Sequence, residues 1–430
     1  MTKPLKIAIA GLGTVGVGVI KIMEEHKDMI AARSGRNIEI TAVSASNRSR
    51  NRGVDISCYD WADNAIDFAN RDDIDIVVEL IGGSDGVAAA LARQSLANGK
   101  SFVTANKALI AHHGAELARI SEENHVALRF EASVAGGIPI LKSLGEGLAA
   151  NKINKVYGIL NGTTNYMLTQ MEETGKSYDD ILEETKLLGY LEADPALDLD
   201  GIDAGHKLAI LSSVAFGVKT DFKNVYMEGI RRIKLVDIQY AKELGYRIKL
   251  LGISSLTEAG LEQRVHPCLV PKSAPISNVD NGFNAVAVEG DFVERTFYEG
   301  RGAGEGPTAS SVVADIIDIA RGHRGPAFFV PVKNLQDATP VNISDRFGPY
   351  YIRLHVEEQP GVIADITAAL RDEDVSLHVM LQKGSEQDGS VYVVMVTHKT
   401  KELRVMNALD HINGLSSVID KALAIRIENL

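Results

Sequence analysis

The chain has 430 residues, with 45 Lys and Arg against 57 Asp and Glu, and it carries a formal net charge of −12. Its 45% hydrophobic and 24% charged residues argue against disorder, and its length suggests two or three domains. The acidic balance disfavours nucleic acids and anionic membranes as partners. Two cysteines, Cys58 and Cys268, cannot form a disulfide framework or a cysteine zinc site, and they fit a reducing cytosol.

The N-terminus superficially resembles a signal peptide, because Lys3 and Lys6 precede the apolar stretch Ile7 to Ile20. That stretch contains four glycines and runs into charged residues without a small-residue cleavage site. The chain also lacks a charge-free run of about 18 residues, the length that a membrane span requires. We therefore expect a soluble, cytoplasmic protein.

Residues 1–131 are predicted to form a dinucleotide-binding domain, because short apolar runs alternate with amphipathic stretches. The predicted strands are KIAIAGL, IEITAVSAS, IDIVVELIG, SFVTAN and HVALRFE. The predicted helices follow Thr14, Gly86 and Lys107. Alternation of this kind favours a parallel sheet covered on both faces, which is a doubly wound α/β fold of the Rossmann type.

Residues 132–325 are predicted to form an α+β domain, because helical segments come before strands. The predicted helices are Ile138 to Leu148, Thr164 to Glu173, Tyr178 to Leu188 and Asp203 to Phe216, and the predicted strands are RIKLLGISSL, LEQRVHPCLV, NAVAVEG and FVERTFYEG. A last helix, 307–321, is expected to complete the first domain. Residues 326–349, rich in Pro, Asn, Asp and Gly, are predicted to be a linker.

Residues 350–430 show the order strand, helix, strand, strand, helix, strand. The strands are YIRLHVEE, VSLHVMLQ, SVYVVMVTH and SVIDKALAIRIENL, and the helices are 361–371 and 401–412. This order predicts a ferredoxin-like βαββαβ unit.

The segment Gly11-Leu12-Gly13-Thr14-Val15-Gly16 follows the first predicted strand and opens a helix. A dinucleotide site needs Gly11 for the tight turn, Gly13 for close approach of backbone to the pyrophosphate, and Gly16 for helix packing. A glycine turn also occurs in other α/β proteins, but the flanking strand and helix favour dinucleotide binding.

The end of the second predicted strand favours NADP over NAD. An NAD enzyme usually places Asp or Glu there for the ribose 2′-hydroxyl. This chain has Arg48, Arg50 and Arg52 among serines and asparagines, with no carboxylate before Asp55. Arginines suit a 2′-phosphate through charge-assisted hydrogen bonds, although a solvated basic loop is an alternative explanation.

The segment LEADPALDLDGIDAGHK carries five carboxylates and ends at Lys207. Asp203 and Lys207 are four residues apart, so they share a helix face and can pair. Lys207 precedes an apolar helix, which favours a partly buried general acid or base, whereas the alternative is an ordinary surface ion pair. Lys107 follows the fourth strand at its carboxyl end, the rim where such sheets bind ligands.

These segments together resemble the homoserine dehydrogenase family, in the monofunctional form that has a C-terminal ACT domain. The resemblance spans nearly the whole chain. It rests on GLGTVG, TANKALI, EASVAGGIPI, NGTTNYML, LGYLEADPALDLDGIDAGHKLAIL and GAGEGPTASSVVADIIDIAR. It implies reversible NAD(P)-dependent oxidation of L-homoserine to L-aspartate 4-semialdehyde, on the route to threonine and methionine, by a homodimer or homotetramer.

The resemblance also implies roles for individual residues. Lys207 would transfer the proton, with Lys107 beside the nicotinamide and the substrate. The substrate would be bound by Glu192, Asp203, Asp198 and Gly189. The cofactor would be lined by Gly11, Leu12, Gly13, Thr14, Val15, Gly16, Arg48, Arg50, Ser84, Thr104, Lys107, Gly304 and Glu305. A sodium or potassium ion would be held by Glu131, Val134, Gly136 and Ile138.

The C-terminal unit would bind a threonine effector at Gln359, Gly361 and Val362, and a purely structural dimerisation module is the alternative.

Two other functions compete with the dehydrogenase. Aspartate-semialdehyde dehydrogenase needs a cysteine nucleophile, and neither Cys58 nor Cys268 has an activating environment by sequence. A non-catalytic NADP-linked amino-acid sensor would have no need of an acid/base lysine.

Overall fold

The computed structural model describes residues 3–191, 195–383 and 389–430. The first domain is built on a parallel sheet in the order β3-β2-β1-β4-β5-β6. Its strands are β1 (Leu5–Ala10), β2 (Ile38–Ser44), β3 (Asp60–Trp61), β4 (Ile76–Glu79), β5 (Ser101–Thr104) and β6 (Leu128–Arg129). This is the strand order of a dinucleotide-binding fold, so the predicted α/β class is confirmed.

Helices cover both faces of this sheet. They are α1 (Thr14–Glu25), α2 (Lys27–Ser34), α3 (Val87–Ala97), α4 (Lys107–Glu123) and, from much later in the chain, α11 (Glu305–Ala320). On one face Ile7 and Ile9 share a core with Val312 of α11, and on the other Phe102 shares a core with Leu91. Burial on both faces explains why the strands are uninterrupted apolar runs.

The second domain begins with helices. They are α5 (Ile140–Lys142), α6 (Gly162–Thr174), α7 (Tyr178–Leu187), α8 (Ala196–Leu199), α9 (Ile202–Phe216) and α10 (Leu235–Glu243). The prediction of one regular helix over 138–148 is wrong, because α5 continues as a π-helical turn over 143–147. Gly145 and Gly147 weaken a regular helix there, and a Cβ at Gly145 would lie 2.0 Å from the Phe329 ring.

The second sheet contains ten strands among the described residues, in the order β12-β11-β7-β9-β10-β18-β14-β16-β15, with β8 beside β10. They are β7 (Ile153–Ile159), β8 (Tyr226–Met227), β9 (Tyr246–Thr257), β10 (Gly260–Pro271), β11 (Phe283–Gly290), β12 (Glu294–Arg301), β14 (Tyr350–Glu357), β15 (Leu377–Gln382), β16 (Ser390–Thr397) and β18 (Val418–Ile427). A separate ribbon joins β13 (Phe347–Gly348) to β17 (Thr400–Lys401).

The C-terminal unit has the predicted βαββαβ order, with helices α12 (Val362–Asp372) and α13 (Glu402–Asn413). Its strands β18, β14, β16 and β15 are antiparallel neighbours. The sheet does not stop at this unit, because β18 also pairs in parallel with β10, where Cys268 lies opposite Arg426. The C-terminal unit and the second domain therefore share one continuous sheet.

Several elements were not predicted from the sequence, and strand β7 and helix α10 are the longest strand and the longest helix among them. Strand β7 lies in the middle of the sheet between β9 and β11, but Asn154, Lys155 and Gly158 interrupt its apolar pattern. Helix α10 starts after Lys234, a residue type that does not signal a helix start, and the Asp237 carboxylate accepts a hydrogen bond from the Lys234 amide instead. Within the described ranges, helices long and apolar enough to cross a membrane are absent.

Candidate active site

The first turns of α9 bring Asp203 and Lys207 together inside the protein. The Lys207 ammonium lies 2.8 Å from Asp203 Oδ2 and donates a second hydrogen bond, 2.7 Å long, to the carbonyl oxygen of Leu160. Both side chains are more than nine-tenths buried. The alternative of an exposed surface ion pair is therefore wrong.

Lys107 joins this pair from the other domain. It is the first residue of α4 at the carboxyl edge of the parallel sheet, and its Nζ lies 2.5 Å from Asp203 Oδ1. The Lys107 side chain is 41% exposed. One carboxylate thus bridges a buried lysine and an accessible lysine at the boundary between the nucleotide fold and the second domain.

The charges of this cluster shift its pKa values. Burial is the largest cause that lowers the pKa of Lys207, and the nearby Lys107 ammonium lowers it further, while Asp203 opposes both. Burial alone would raise the pKa of Asp203, but the two ammonium groups hold it well below its usual range. Burial also raises the pKa of Asp198. Lys207 therefore gives up its proton more readily than an exposed lysine does.

Asn161 connects the carboxylates of the cluster, and sequence reasoning did not identify it. Its side-chain amide donates to Asp198 Oδ1 at 2.6 Å and to Asp203 Oδ2 at 2.9 Å. Its Oδ1 atom accepts a hydrogen bond from the Thr164 amide and caps the N-terminus of α6. Asn before a predicted helix, within the segment NGTTNYML, is the signal that could have indicated this residue.

The glycine-rich turn has the shape that a dinucleotide requires. Gly11 has φ +104°, and a Cβ there would lie 2.5 Å from the Leu80 carbonyl oxygen. A Cβ at Gly16 would lie 2.1 Å from the Gly11 carbonyl oxygen, so this glycine packs against the turn. Gly13 is exposed, and a Cβ there would meet no atom within 4 Å. The start of α1 is therefore open to a pyrophosphate.

The opposite rim of the nucleotide site depends on Glu79, which the sequence reasoning also missed. Its buried carboxylate accepts hydrogen bonds from the amides of Ile81 and Gly82. The Thr104 hydroxyl donates to the same carboxylate at 2.6 Å, so its side chain supports the rim from within. Ser84 lies in the loop that Glu79 holds, and its hydroxyl donates to Asp85.

The arginine-rich loop stands beside the glycine-rich turn. The Arg48 guanidinium lies 5.7 Å from the centre of the Trp61 ring, and the Arg52 guanidinium lies 5.9 Å from it. Arg52 donates hydrogen bonds to backbone carbonyls, one of them Leu12, and so ties the loop to the glycine turn. Arg50 is exposed. Across the turn, exposed Gly304 has φ +120° and precedes Glu305, which pairs with Lys21 at 2.6 Å.

The expected cation residues lie where the chain passes between the domains. The Glu131 carboxylate is buried and accepts hydrogen bonds from the Leu141 and Lys142 amides, and burial and Asp315 raise its pKa to about 8. The Lys142 ammonium contacts Asp315 at 3.0 Å and Asp318 at 2.6 Å. Two carboxylates share one ammonium, which leaves a negative excess, and a bound cation would favour the ionised form of Glu131 beside them.

Three carbonyl groups were expected to complete that cation site. The Gly136 carbonyl oxygen accepts a hydrogen bond from Ser311, and the Ile138 carbonyl oxygen accepts one from Ile140. Val134 is fully buried beside them. Each occupied carbonyl retains a second lone pair that can face an ion.

The remaining predicted site residues are dispersed. Glu192 lies outside the described residues, and Gly189 follows α7 with φ +74°. In the C-terminal unit Gly361 has φ +99° at the start of α12, Gln359 is exposed, and Val362 is buried. Of the two cysteines, Cys58 is exposed and Cys268 is buried. Burial raises the pKa of the Cys268 thiol, which disfavours the thiolate that a nucleophile requires.

Comparison with known proteins identifies the family. The family described as homoserine dehydrogenase matches residues 139–317, its NAD-binding domain matches 11–131, and the ACT domain matches 350–413. A homoserine dehydrogenase of Neisseria gonorrhoeae is 43% identical, with 100% of this chain and 99% of that protein covered. The chain belongs to the homoserine dehydrogenase family. It is accordingly an NAD(P)-dependent oxidoreductase that acts on a CH–OH group, with an ACT regulatory domain.

Solved structures of this family have the same fold. A homoserine dehydrogenase from Thiobacillus denitrificans is 44% identical, has a TM-score of 0.93, and covers 99% of each chain. One from Staphylococcus aureus is 31% identical with a TM-score of 0.76 over the whole of both chains. A hyperthermophilic archaeal homoserine dehydrogenase in complex with NADPH is 26% identical, with a TM-score of 0.63 over 74% of this chain and 97% of that chain.

Proposed function

We propose that the chain catalyses the reversible oxidation of L-homoserine to L-aspartate 4-semialdehyde, with Lys207 as the proton-transfer residue. The observation that carries this proposal is the buried Lys207–Asp203 pair, bridged by Lys107 to the carboxyl edge of the nucleotide sheet. Proton transfer and hydride transfer must occur on the same carbon–oxygen group. A lysine at the boundary between the substrate domain and the nucleotide domain meets that requirement.

The proton path follows from the contacts of Lys207. When bound, the nicotinamide supplies the acceptor for the hydride. Neutral Lys207 takes the proton from the substrate hydroxyl as the carbonyl forms, and in the reverse direction its ammonium returns the proton to the carbonyl oxygen. Asp203 and the Leu160 carbonyl fix the position of the lysine amine through hydrogen bonds. Lys107, which pairs with the other oxygen of the Asp203 carboxylate, would stabilise negative charge on the substrate oxygen.

The substrate is an amino acid, and the cluster suits both of its charged ends. We assign its ammonium group to Glu192 and Asp203, supported by Asp198 and by the turn at Gly189. Asn161 keeps Asp198 and Asp203 at a fixed separation. The N-terminus of α6, which Asn161 caps, lies against the same carboxylates and offers backbone N–H groups to the substrate carboxylate.

NADP is the preferred cofactor in this proposal. The cofactor would lie over the open turn at Gly13, with Arg48 and Arg50 at its 2′-phosphate. Arg52 has a different role, because its hydrogen bonds to backbone carbonyls hold the loop closed. Ser84, Thr104 and the Gly304–Glu305 turn would line the remaining length of the cofactor.

A sodium or potassium ion would bind at Glu131 and at the carbonyls of Val134, Gly136 and Ile138, where it would offset the excess of buried negative charge.

The ACT unit would bind threonine at Gln359, Gly361 and Val362, which places the enzyme on the route to threonine and methionine. A structural dimerisation role for this unit is the second candidate. We further propose a homodimer or homotetramer in the cytoplasm.

The reaction is tested by mixing the purified protein with NADP and L-homoserine and recording NADPH absorbance. Formation of aspartate 4-semialdehyde is followed by mass spectrometry. L-Serine, which is one methylene shorter, serves as the control substrate. Turnover of homoserine but not of serine supports the proposal. If the protein binds NADP but does not oxidise homoserine, the proposal is rejected. Inhibition by threonine that disappears in Gln359→Ala would support effector binding.

A further inference from the structure

A short segment packs between the C-terminal unit and the start of α9, and it contains none of the residues assigned above to the substrate, the cofactor or the proton transfer. We call residues 226–231 the strap. The strap begins as β8, which pairs with β10, and the Glu228 amide continues that pairing with a hydrogen bond to the Val265 carbonyl. It then leaves the sheet and packs against α8 and the first turn of α9.

One side of the strap packs closely against the residues that lead into Asp203. The Ile230 amide donates to the Leu199 carbonyl at 3.0 Å, and a Cβ at Gly229 would lie 1.8 Å from that carbonyl oxygen. A Cβ at Gly205, between Asp203 and Lys207, would lie 2.6 Å from the Met227 sulfur. Any shift of the strap therefore displaces the turn of helix that carries both residues.

The other side of the strap is held by the C-terminal unit. The Glu228 carboxylate lies 2.7 Å from Nη1 of Arg426, a residue of β18 whose side chain is 3% exposed. Arg426 also donates to Glu402 of α13 and to the Tyr226 hydroxyl, at 2.9 and 3.0 Å. One buried guanidinium thus joins two elements of the C-terminal unit to the strap.

We propose that the C-terminal unit positions Asp203 and Lys207 through the strap, with Glu228 as the positioning residue. This inference rests on the proposed function, because it takes Lys207 as the proton-transfer residue. Glu228 does not contact Lys207, and its effect is transmitted by Met227 and Gly229. Movement of β18 or α13 would reach the lysine cluster through Arg426, and an effector bound to the C-terminal unit could use the same route.

The test uses Glu228→Gln in the full-length protein. The substitution keeps the shape of the side chain, and Arg426 retains Glu402 as its carboxylate partner, so the fold is preserved. We expect kcat for homoserine to fall by about tenfold, since small misplacements of catalytic groups cost up to ~100-fold. The affinity for NADP should not change. Amides of residues 199–208 should exchange hydrogen faster than in the wild-type protein.

Lys234→Met is the matched control. The Lys234 ammonium pairs with Asp420 of β18 at 2.6 Å, so this pair also crosses between the units, but it is exposed and lies outside the strap. The control should keep wild-type kcat and exchange. Equal effects of the two variants would overturn the proposal, because they would indicate general loosening of the interface. Wild-type kcat and wild-type exchange in Glu228→Gln would overturn it as well.

Gly229→Ala tests the other end of the strap, since its Cβ must push Leu199 away while the Arg426 contact stays intact. We expect a larger loss of kcat than in Glu228→Gln. An unchanged kcat would contradict the proposal that the strap positions Asp203 and Lys207. If the wild-type protein does not oxidise homoserine, the proposed function fails, and hydrogen exchange over 199–208 still decides whether the strap controls α9.

Discussion

Two lysines share one carboxylate at the centre of this site, and that ratio determines its chemistry. A single Asp203 cannot fully compensate both Lys207 and Lys107, so the buried amine is held in an environment that disfavours its charge. Lys107 pairs with the same carboxylate, but its side chain is 41% exposed. One lysine is thereby suited to proton transfer and the other to stabilising charge on the substrate oxygen.

Replacing Asp203 by Asn should move the pH dependence of oxidation. Asp203 raises the pKa of Lys207, so loss of its charge lowers that pKa further. In the proposed mechanism oxidation requires neutral Lys207, so kcat should rise as the pH passes upward through this pKa. We expect the acid limb of the kcat profile to shift to lower pH in Asp203→Asn. Asp337→Asn, at an exposed carboxylate paired with Lys219, is the control; a shift to higher pH would contradict the account.

Arg48→Ala should impair NADP more than NAD. Loss of one charge-assisted contact with a phosphate corresponds to about 1.5–3 kcal/mol, which is about tenfold or more in kcat/KM. The kinetic constants for both cofactors, measured at low and high salt, check this. Arg119→Ala removes another exposed arginine, on α4, and should leave the cofactor ratio unchanged. An unchanged ratio in Arg48→Ala would favour a solvated basic loop.

Sequence reasoning found some site residues and missed others for a physical reason. Asp203 and Lys207 are visible because they lie four apart on one helix, and Lys107 because it follows a strand at the sheet rim. Glu79 contacts Thr104, and Asn161 contacts Asp198 and Asp203. These partners lie 25 to 42 positions away, and local spacing does not encode such contacts. The packing of the strap against α9 is invisible in the sequence for the same reason.

At the scale of elements, regular periodicity was a reliable guide and irregular segments were not. Five of the six strands of the parallel sheet and helices α3, α4 and α9 were predicted, because burial imposes uniform patterns on them. Strand β7 and helix α10 were missed, since polar residues interrupt one and a lysine begins the other. The π-helical turn after α5 reflects packing of Phe329 on Gly145, a contact between distant segments.

The segment around Glu131 provides a prediction at this scale. If a monovalent cation offsets the buried carboxylates, sodium or potassium should raise the thermal midpoint relative to tetramethylammonium at equal ionic strength. Glu131→Gln should abolish that difference, because the amide removes the negative charge. Differential scanning fluorimetry in the three chloride salts measures it. Equal midpoints of the wild-type protein in all three salts would reject a bound ion.

At the scale of the whole molecule, the C-terminal unit is part of the architecture of the second domain. Strand β18 extends the sheet through β10, and the Arg353 guanidinium lies 2.9 Å from Asp237, with both side chains buried. The βαββαβ order was predictable from the sequence, because its apolar runs are local. The shared sheet was not, because it depends on two residues at the end of the last strand pairing with a strand from another domain.

Truncation before Tyr350 should therefore destabilise the remaining chain. It would expose the part of β10 that pairs with β18 and leave the buried Asp237 carboxylate without Arg353, and an unpaired buried charge costs about 3–5 kcal/mol. The partly exposed Glu228 would also lose Arg426. We expect a lower thermal midpoint and aggregation by light scattering. A truncated protein with the wild-type midpoint would show that the shared sheet contributes little. Regulation is for this reason better tested by substitutions in the intact chain.

The central claim is that buried Lys207 transfers the proton. The decisive measurement is the rate of NADP reduction by L-homoserine in Lys207→Ala and Lys207→Arg, with KM and NADP affinity determined in parallel. We expect both variants to bind NADP normally and to lower kcat far more than they raise KM, since alanine has no amine and arginine keeps its charge but does not deprotonate. Substantial turnover in either variant, or equal losses in kcat and in substrate affinity, would contradict it.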